Sequence, residues 1–495
     1  MPRFDHIVVG GGISGMTAAL LLAQSGARIA LVEAFPRLSP TVRGFRRGGV
    51  QFDTGLHYVG GLGDGHPLDV YFKHLGIAPL IGKKPYRLEG FDRFVAEPSG
   101  RSYAVPSGFE ACKAYLTRCF PAETVAIERY LDAVDRNIAA SPFLNFTRPF
   151  DLNGTLHGET TTLRTFLDEL TDNEELKAVL SFHTLLYGVP PEDALFSTHA
   201  LVAGSYLLST HGVEGGGHAL VRAFETRLAE AGVDVFLGHS VRSVEIDAER
   251  RVTGVVLDDG REFAAPSCLW TAHPRGLIEA TPDAAFRPAF KKRLALLEDT
   301  ASALMLFGVS EALIPSLDGQ NVILWPGRSL SDDLKGGLPV QESMIFLSAS
   351  EDPGSGKMGV TAIVSQAFSP FAPWADSLPA SRPEDYRQRK AELLHSFERE
   401  VFRRMPELSE TVRFVQGATP LTFRDFCAAP SGSLYGLCHS INQFNPAPVT
   451  KVEGLTLAGQ GIVAPGILGA VISAYLTCGI ILGHESLHSE LRQYA

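Results

Sequence analysis

The hydrophobic pattern is clearest at the start of the chain. Residues 5–9 are a short β-branched run that predicts a buried strand, and residues 28–32 are a second apolar run. Between them Met16, Ala19, Leu20 and Ala23 recur at helical spacing up to a stop at Gly26. Residues 45–52 predict a hairpin leading into Asp53-Thr54-Gly55, and helices are expected over 67–76, 110–140, 162–170 and 174–186. Residues 80–105 read as strands with turns at Glu89-Gly90 and Ser99-Gly100. Near residue 210 the style changes. Gly215 to Gly217 open a helix over 219–231, closed by Gly232, and residues 233–247 and 251–272 alternate like antiparallel strands around an Asp259-Gly260 turn. Strands at 303–309, 344–348 and 360–365 and a charged helix at 383–405 follow, and a strand, a loop and a helix close the chain.

Chemistry enters with the glycines of the first turn. Gly10, Gly12 and Gly15 form G-x-G-x-x-G between the first strand and the helix, and the second strand ends on Glu33. Strand, glycine turn, helix, strand and acid in this order are a dinucleotide-binding βαβ unit. Gly10 permits the tight turn, Gly12 lets backbone approach a pyrophosphate, and Gly15 lets helix and strand pack closely. The helix N-terminus offers unpaired N–H groups to phosphate, and Glu33 falls where a carboxylate accepts ribose hydroxyls.

Composition narrows the partners. A chain of 495 residues has room for two or three domains. Its net charge of −11 leaves no basic stripe for nucleic acid. Cys112, Cys119, Cys268, Cys427, Cys438 and Cys478 show no C-x-x-C spacing, and the first residues are committed to the βαβ unit, so a reduced, cytoplasmic setting is expected. The acceptor triplets at Asn145 and Asn153 carry no weight without secretion. The uncharged run 459–483 is broken by Pro465 and by Gly461, Gly466, Gly469 and Gly479, and predicts a buried helix rather than a membrane span. Residues 351–357 resemble a phosphate loop but lack its first glycine, so a hairpin turn is expected. Arg43, Arg46 and Arg47 read as a solvated face, and His183, His199, His211, His218 and His273 show no metal-ligand spacing.

Four further stretches recur with the first one in a known order. They are Phe52-Asp53-Thr54-Gly55-Leu56-His57-Tyr58, the Gly215–Gly217 helix start, Val241 within HSVRSVEI, and Leu457-Ala458-Gly459-Gln460 through Gly466-Ile467-Leu468-Gly469-Ala470. With Thr419-Pro420-Leu421 and Ser431 to Gly436, the chain resembles, over nearly its whole length, the phytoene desaturase, carotenoid isomerase and retinol saturase group of amine oxidase-like flavoproteins.

The resemblance implies an α/β fold. A discontinuous Rossmann-type FAD-binding domain would take residues 1–75, 210–275 and 443–495, and an inserted α+β substrate domain residues 76–209 and 276–442. Gly10, Gly12, Ile13, Ser14, Gly15 and Glu33 would hold the ADP half of FAD, Val241 would bracket the adenine, and Gly459 and Gln460 would meet the pyrophosphate and ribityl chain. Gly466, Ile467 and Leu468, at a helix start, would face the pyrimidine edge of the flavin, where N–H groups stabilise the charge of the reduced ring.

Two positions depart from the group. Arg43-Gly44 stands where a Gly-Gly pair usually approaches the cofactor, and is expected to do part of that work; Gln460 replaces an acid. His57 and Tyr58 are candidates for proton transfer to a polyene carbon, or else packing groups. The implied activity is FAD-dependent chemistry on carbon–carbon double bonds of a long apolar polyene, by saturation, desaturation or cis–trans isomerisation. NAD(P)H would dock transiently as an electron donor, or not be used, because no second G-x-G-x-x-G unit with flanking strands is read. An amine or amino-acid oxidase is the rival enzyme, and a prenyl-binding protein of the GDP dissociation inhibitor kind the rival of another class. Peripheral membrane contact is expected through residues 120–210, at Phe143, Leu144, Phe146 and Phe150.

Overall fold

The computed structural model describes residues 1–151, 160–352 and 355–495. Five parallel strands form one sheet, in the order Asp234–Leu237, Ile29–Glu33, His6–Val9, Cys268–Trp270 and Leu455–Leu457. The three inner strands are almost wholly buried, as strands covered on both faces must be. One face carries the helices Ile13–Gln24 and Gly466–Leu482, which touch where Cys478 Sγ reaches Ala18 O at 4.0 Å. The other carries a small antiparallel sheet of Val241–Ile246, Val252–Leu257 and Glu262–Ala264. This is the expected α/β class, and the sheet draws its strands from widely separated parts of the sequence.

A second, mixed sheet of seven strands stands beside it, running from Val412–Ala418 through Ser302–Ser310, Lys357–Gln366, Ile345–Asp352, Asn321–Trp325 and Asp92–Ala96 to Arg101–Val105. Helix Glu384–Arg404 covers one face through Phe397 and Val401. Helices Thr124–Ala140 and Phe196–Leu208 close the region on the other side.

Several expectations need correction. Asp234–Leu237 and Cys268–Trp270 do not join an antiparallel meander; both are parallel strands of the first sheet, and only the pieces between them pair antiparallel. The helix expected over 110–140 is two helices, Phe109–Cys119 and Thr124–Ala140, because Pro121 cannot continue the first. The aromatic run after it is not exposed: Leu144 and Phe146 are buried, Phe146 meets Tyr71 edge-on at 5.3 Å, and Phe150 stacks on His484 at 5.2 Å. Arg43 is no part of a solvated face, since its guanidinium is buried against Glu225 and donates to Leu38 O. Asn153 and residues 353–354 of the expected hairpin turn lie outside the described residues, though the strands flanking that turn do pair. The closing helix Gly466–Leu482 is heavily buried, and among the described residues no helix is long and apolar enough to cross a membrane.

Candidate active site

The glycine turn leaves the first strand at Gly10, whose φ of +104° suits glycine. Thr271 Oγ1, just past the Cys268–Trp270 strand, donates to Val9 O or Gly10 O, each 2.9 Å away, and ties the turn to the neighbouring strand. A Cβ on Gly15 would lie 1.8 Å from Gly10 O, so only glycine lets helix and strand come this close. A Cβ on Gly12 would meet nothing within 4 Å. The backbone there faces open space, which fits a pyrophosphate.

Glu33 closes this end. It accepts from Gly11 N at 2.5 Å and Phe35 N at 2.8 Å. Burial raises its pKa, and the backbone N–H groups of Phe35, Gly11 and Ala34 pull the other way.

From this cradle a single cavity of about 1380 Å³ runs through the molecule. Gly10, Gly12, Ile13, Ser14, Glu33, Val241, Gly459, Gln460, Gly466, Ile467 and Leu468 all line it. Gly15 does not, in keeping with its packing role. Arg43 and Gly44 do not line it either. Their expected place is taken by Ser39 to Val42, with Ser39 N donating to Gly11 O at 2.9 Å. Gly44 instead lets the chain pass Phe52, whose O would lie 2.0 Å from its Cβ. At the far strand, Gly459 N donates to Ser473 Oγ at 2.9 Å, and the Gln460 carbonyl accepts from His439 Nε2 at 2.6 Å.

The F-D-T-G segment, visible in the sequence only as a motif, has a mechanical job. Asp53 accepts from Gly217 N at 2.7 Å at the start of helix Gly216–Glu230, and Thr54 Oγ1 donates to Thr41 O at 2.7 Å. Burial pushes the Asp53 carboxyl up to about 7 against that N–H bond. The segment thereby delivers His57 and Tyr58 to the cavity wall, beside Phe346.

These two side chains differ. His57 Nε2 is buried without a hydrogen-bond partner, and burial pushes the ring pKa down to about 4, so the imidazole is neutral. The Tyr58 hydroxyl is already engaged, donating to Asp92 Oδ2 at 3.0 Å. Its pKa is raised by burial and then by the Asp92 charge. Asp92, which sequence reasoning passed over, also accepts from Asn321 Nδ2 at 2.8 Å and lies 3.1 Å from His183 Nε2. Tyr206, and Tyr435 from the Ser431 to Gly436 stretch, to which no site role was given, also line the cavity. An aspartate inside a β-like run gives no local sign of such a network.

Cradle, acid, second glycine-rich strand end and helix N-terminus along one cavity define a dinucleotide-dependent oxidoreductase. The chain belongs to the flavin containing amine oxidoreductase family, whose model matches residues 13–482. It is similar to all-trans-retinol 13,14-reductase of Danio rerio, at 27% identity over 533 residues covering 98% of this chain and 87% of that protein. It is also similar to a 4,4'-diapophytoene desaturase of Staphylococcus haemolyticus, at 23% identity over 473 residues covering 88% and 89%. A putrescine oxidase solved with putrescine shares the fold, with a TM-score of 0.65, 17% identity and 97% and 99% of the two chains covered. The protein is a flavin oxidoreductase and its cofactor is FAD.

Proposed function

We propose that this enzyme acts on carbon–carbon double bonds of a long apolar polyene or isoprenoid. The observation that carries this is the continuity of one cavity from the glycine cradle to walls of Met344, Phe346, Ile363, Leu201 and Leu476. Bound FAD supplies two-electron chemistry. The chain holds it through Gly10, Gly12, Ile13, Ser14, Glu33, Val241, Gly459, Gln460, Gly466, Ile467 and Leu468. His57 presents a neutral imidazole to the substrate, and Tyr58, fixed by Asp92, shapes the wall beside it. Residues 1–75, 210–275 and 443–495 act as the FAD-binding unit and the rest as the substrate unit. A reduced nicotinamide nucleotide, docking transiently, is the electron donor, and the enzyme meets a lipid surface peripherally to collect so insoluble a substrate.

The shared fold of putrescine oxidase raises amine oxidation as the alternative. Among the described lining residues the carboxylates are Glu33, in the cradle, and Glu279, on the helix Pro274–Ala280 that follows the Trp270 strand. An ammonium group among the apolar walls would be buried unpaired, which is costly.

The test is anaerobic. Reduced holoenzyme is mixed with candidate polyenes while flavin reoxidation and product mass are followed. A gain of two hydrogens identifies saturation, unchanged mass with altered absorbance identifies isomerisation, and in a parallel arm with oxidised holoenzyme flavin reduction with a loss of two hydrogens identifies desaturation. If no polyene reoxidises the reduced flavin or is altered by the enzyme, while oxidised holoenzyme in air converts amines with release of peroxide, the polyene reading is wrong. Flotation with neutral and anionic liposomes tests the lipid contact, and loss of flotation in both removes it.

A further inference from the structure

The closing helix Gly466–Leu482 presents two apolar faces with different partners. Val471, Ala474 and Cys478 are fully buried in the core and face the first helix side of the molecule. Leu468, Ile472, Leu476 and Ile480 repeat every four residues and all four line the cavity. Residues at that spacing form one row along a helix. Leu468 is half-buried at the cavity, and beyond it exposure rises from 8% at Ile472 through half-buried Leu476 to 43% at Ile480, where Ile481 is also exposed. The row therefore starts beside the flavin cradle and ends at the surface. At 1.5 Å per residue it spans about 18 Å, in steps of about 6 Å. Phe143 and Leu201 line the same cavity and, like Leu468, pack against the core cluster that holds this helix. A wholly apolar row needs no partner of its own where it meets a hydrocarbon chain.

We propose that this row is a length gauge for the substrate, with the apolar chain lying along Leu468, Ile472, Leu476 and Ile480 and its far end toward the opening at Ile480. The gauge rests on the polyene reading for its natural ligand, but it is a statement about a channel and can be read without turnover.

The experiment uses FAD-loaded enzyme and two homologous series, all-trans polyenes and straight-chain saturated alcohols. Binding is followed by perturbation of the flavin absorbance, and polyene conversion by product mass. Ile472→Trp, Leu476→Trp and Ile480→Trp block the row at successive depths. None of them touches the glycine cradle, so each keeps its flavin. The longest chain held within tenfold of wild-type affinity is expected to shorten most in Ile472→Trp, less in Leu476→Trp and least in Ile480→Trp. Leu476→Ala, which only removes volume, is expected to admit bulkier chains and keeps the test open if an inner Trp variant does not fold. Equal cut-offs in wild type and in every variant overturn the gauge. Graded cut-offs for alcohols with no polyene converted leave the gauge standing and remove the polyene chemistry. Polyene conversion with unmoved cut-offs does the reverse.

Discussion

Asp53 gives the sharpest test of the local physics. Its carboxyl is buried and held up to about 7, against an ordinary value of 3.8, because burial outweighs the single Gly217 N–H bond. Between those two values the unfolded chain has released a proton that the folded protein keeps. Fewer protons are then bound in the unfolded state, so stability falls as pH rises through this window and is level above it. A shift of about three pKa units corresponds to about 4 kcal/mol. For a chain of this length, that is about 4 °C of melting temperature. Asp53→Asn keeps a carbonyl oxygen for Gly217 N–H and cannot ionise. The variant is therefore expected to melt about 4 °C above wild type at pH 8. The difference should shrink to nothing as the pH approaches the ordinary aspartate value of 3.8. Flavin content should not change, since Asp53 does not line the cavity. The assay is a thermal melt of the holoenzyme, read by released flavin fluorescence at a series of pH values. The competing force is explicit: the positive end of helix Gly216–Glu230 favours an ionised Asp53, by up to about 2 kcal/mol. If Asp53→Asn melts below wild type at pH 8, the helix terminus outweighs burial and the reasoning is wrong.

Three further outcomes are expected. Gly15→Ala places a methyl 1.8 Å from Gly10 O, so flavin absorbance per protein should drop about tenfold or more, equivalent to about 1.4 kcal/mol; retention of full flavin would show that the turn can yield. Tyr58→Phe removes a donor from the buried Asp92 and should cost about 1–3 kcal/mol in denaturant unfolding, while a neutral result would mean that Asn321 and His183 suffice. Because His57 titrates at about 4, wild-type turnover should show no inflection from it between about pH 6 and 8. His57→Leu should lower polyene turnover without loss of flavin or stability, and an inflection near neutrality that vanishes in this variant would contradict a neutral imidazole.

What could be read from the sequence, and what could not, divides along the range of the interactions. The first strand, glycine turn, helix, second strand and Glu33 lie within one continuous stretch, and each is specified by neighbours a few residues away. Helix Phe196–Leu208 leaves no periodic signature, because FSTHALVAGSYLL has no charged face to set a period. Phe146 and Phe150 stand among polar loop residues and look exposed on paper, yet Tyr71, His484 and His488 from distant segments cover them. The network at Asp92 is the extreme case. Tyr58, His183 and Asn321 converge on it from 34, 91 and 229 positions away, and no local spacing can encode that meeting. The same logic explains Arg43. Its neighbours in sequence suggested a cofactor contact, but Glu225, on helix Gly216–Glu230, claims the guanidinium and leaves the backbone of Ser39 to Val42 to face the cavity. A motif states which residues a turn needs. Which of them meets the cofactor depends on which others a far segment pairs with.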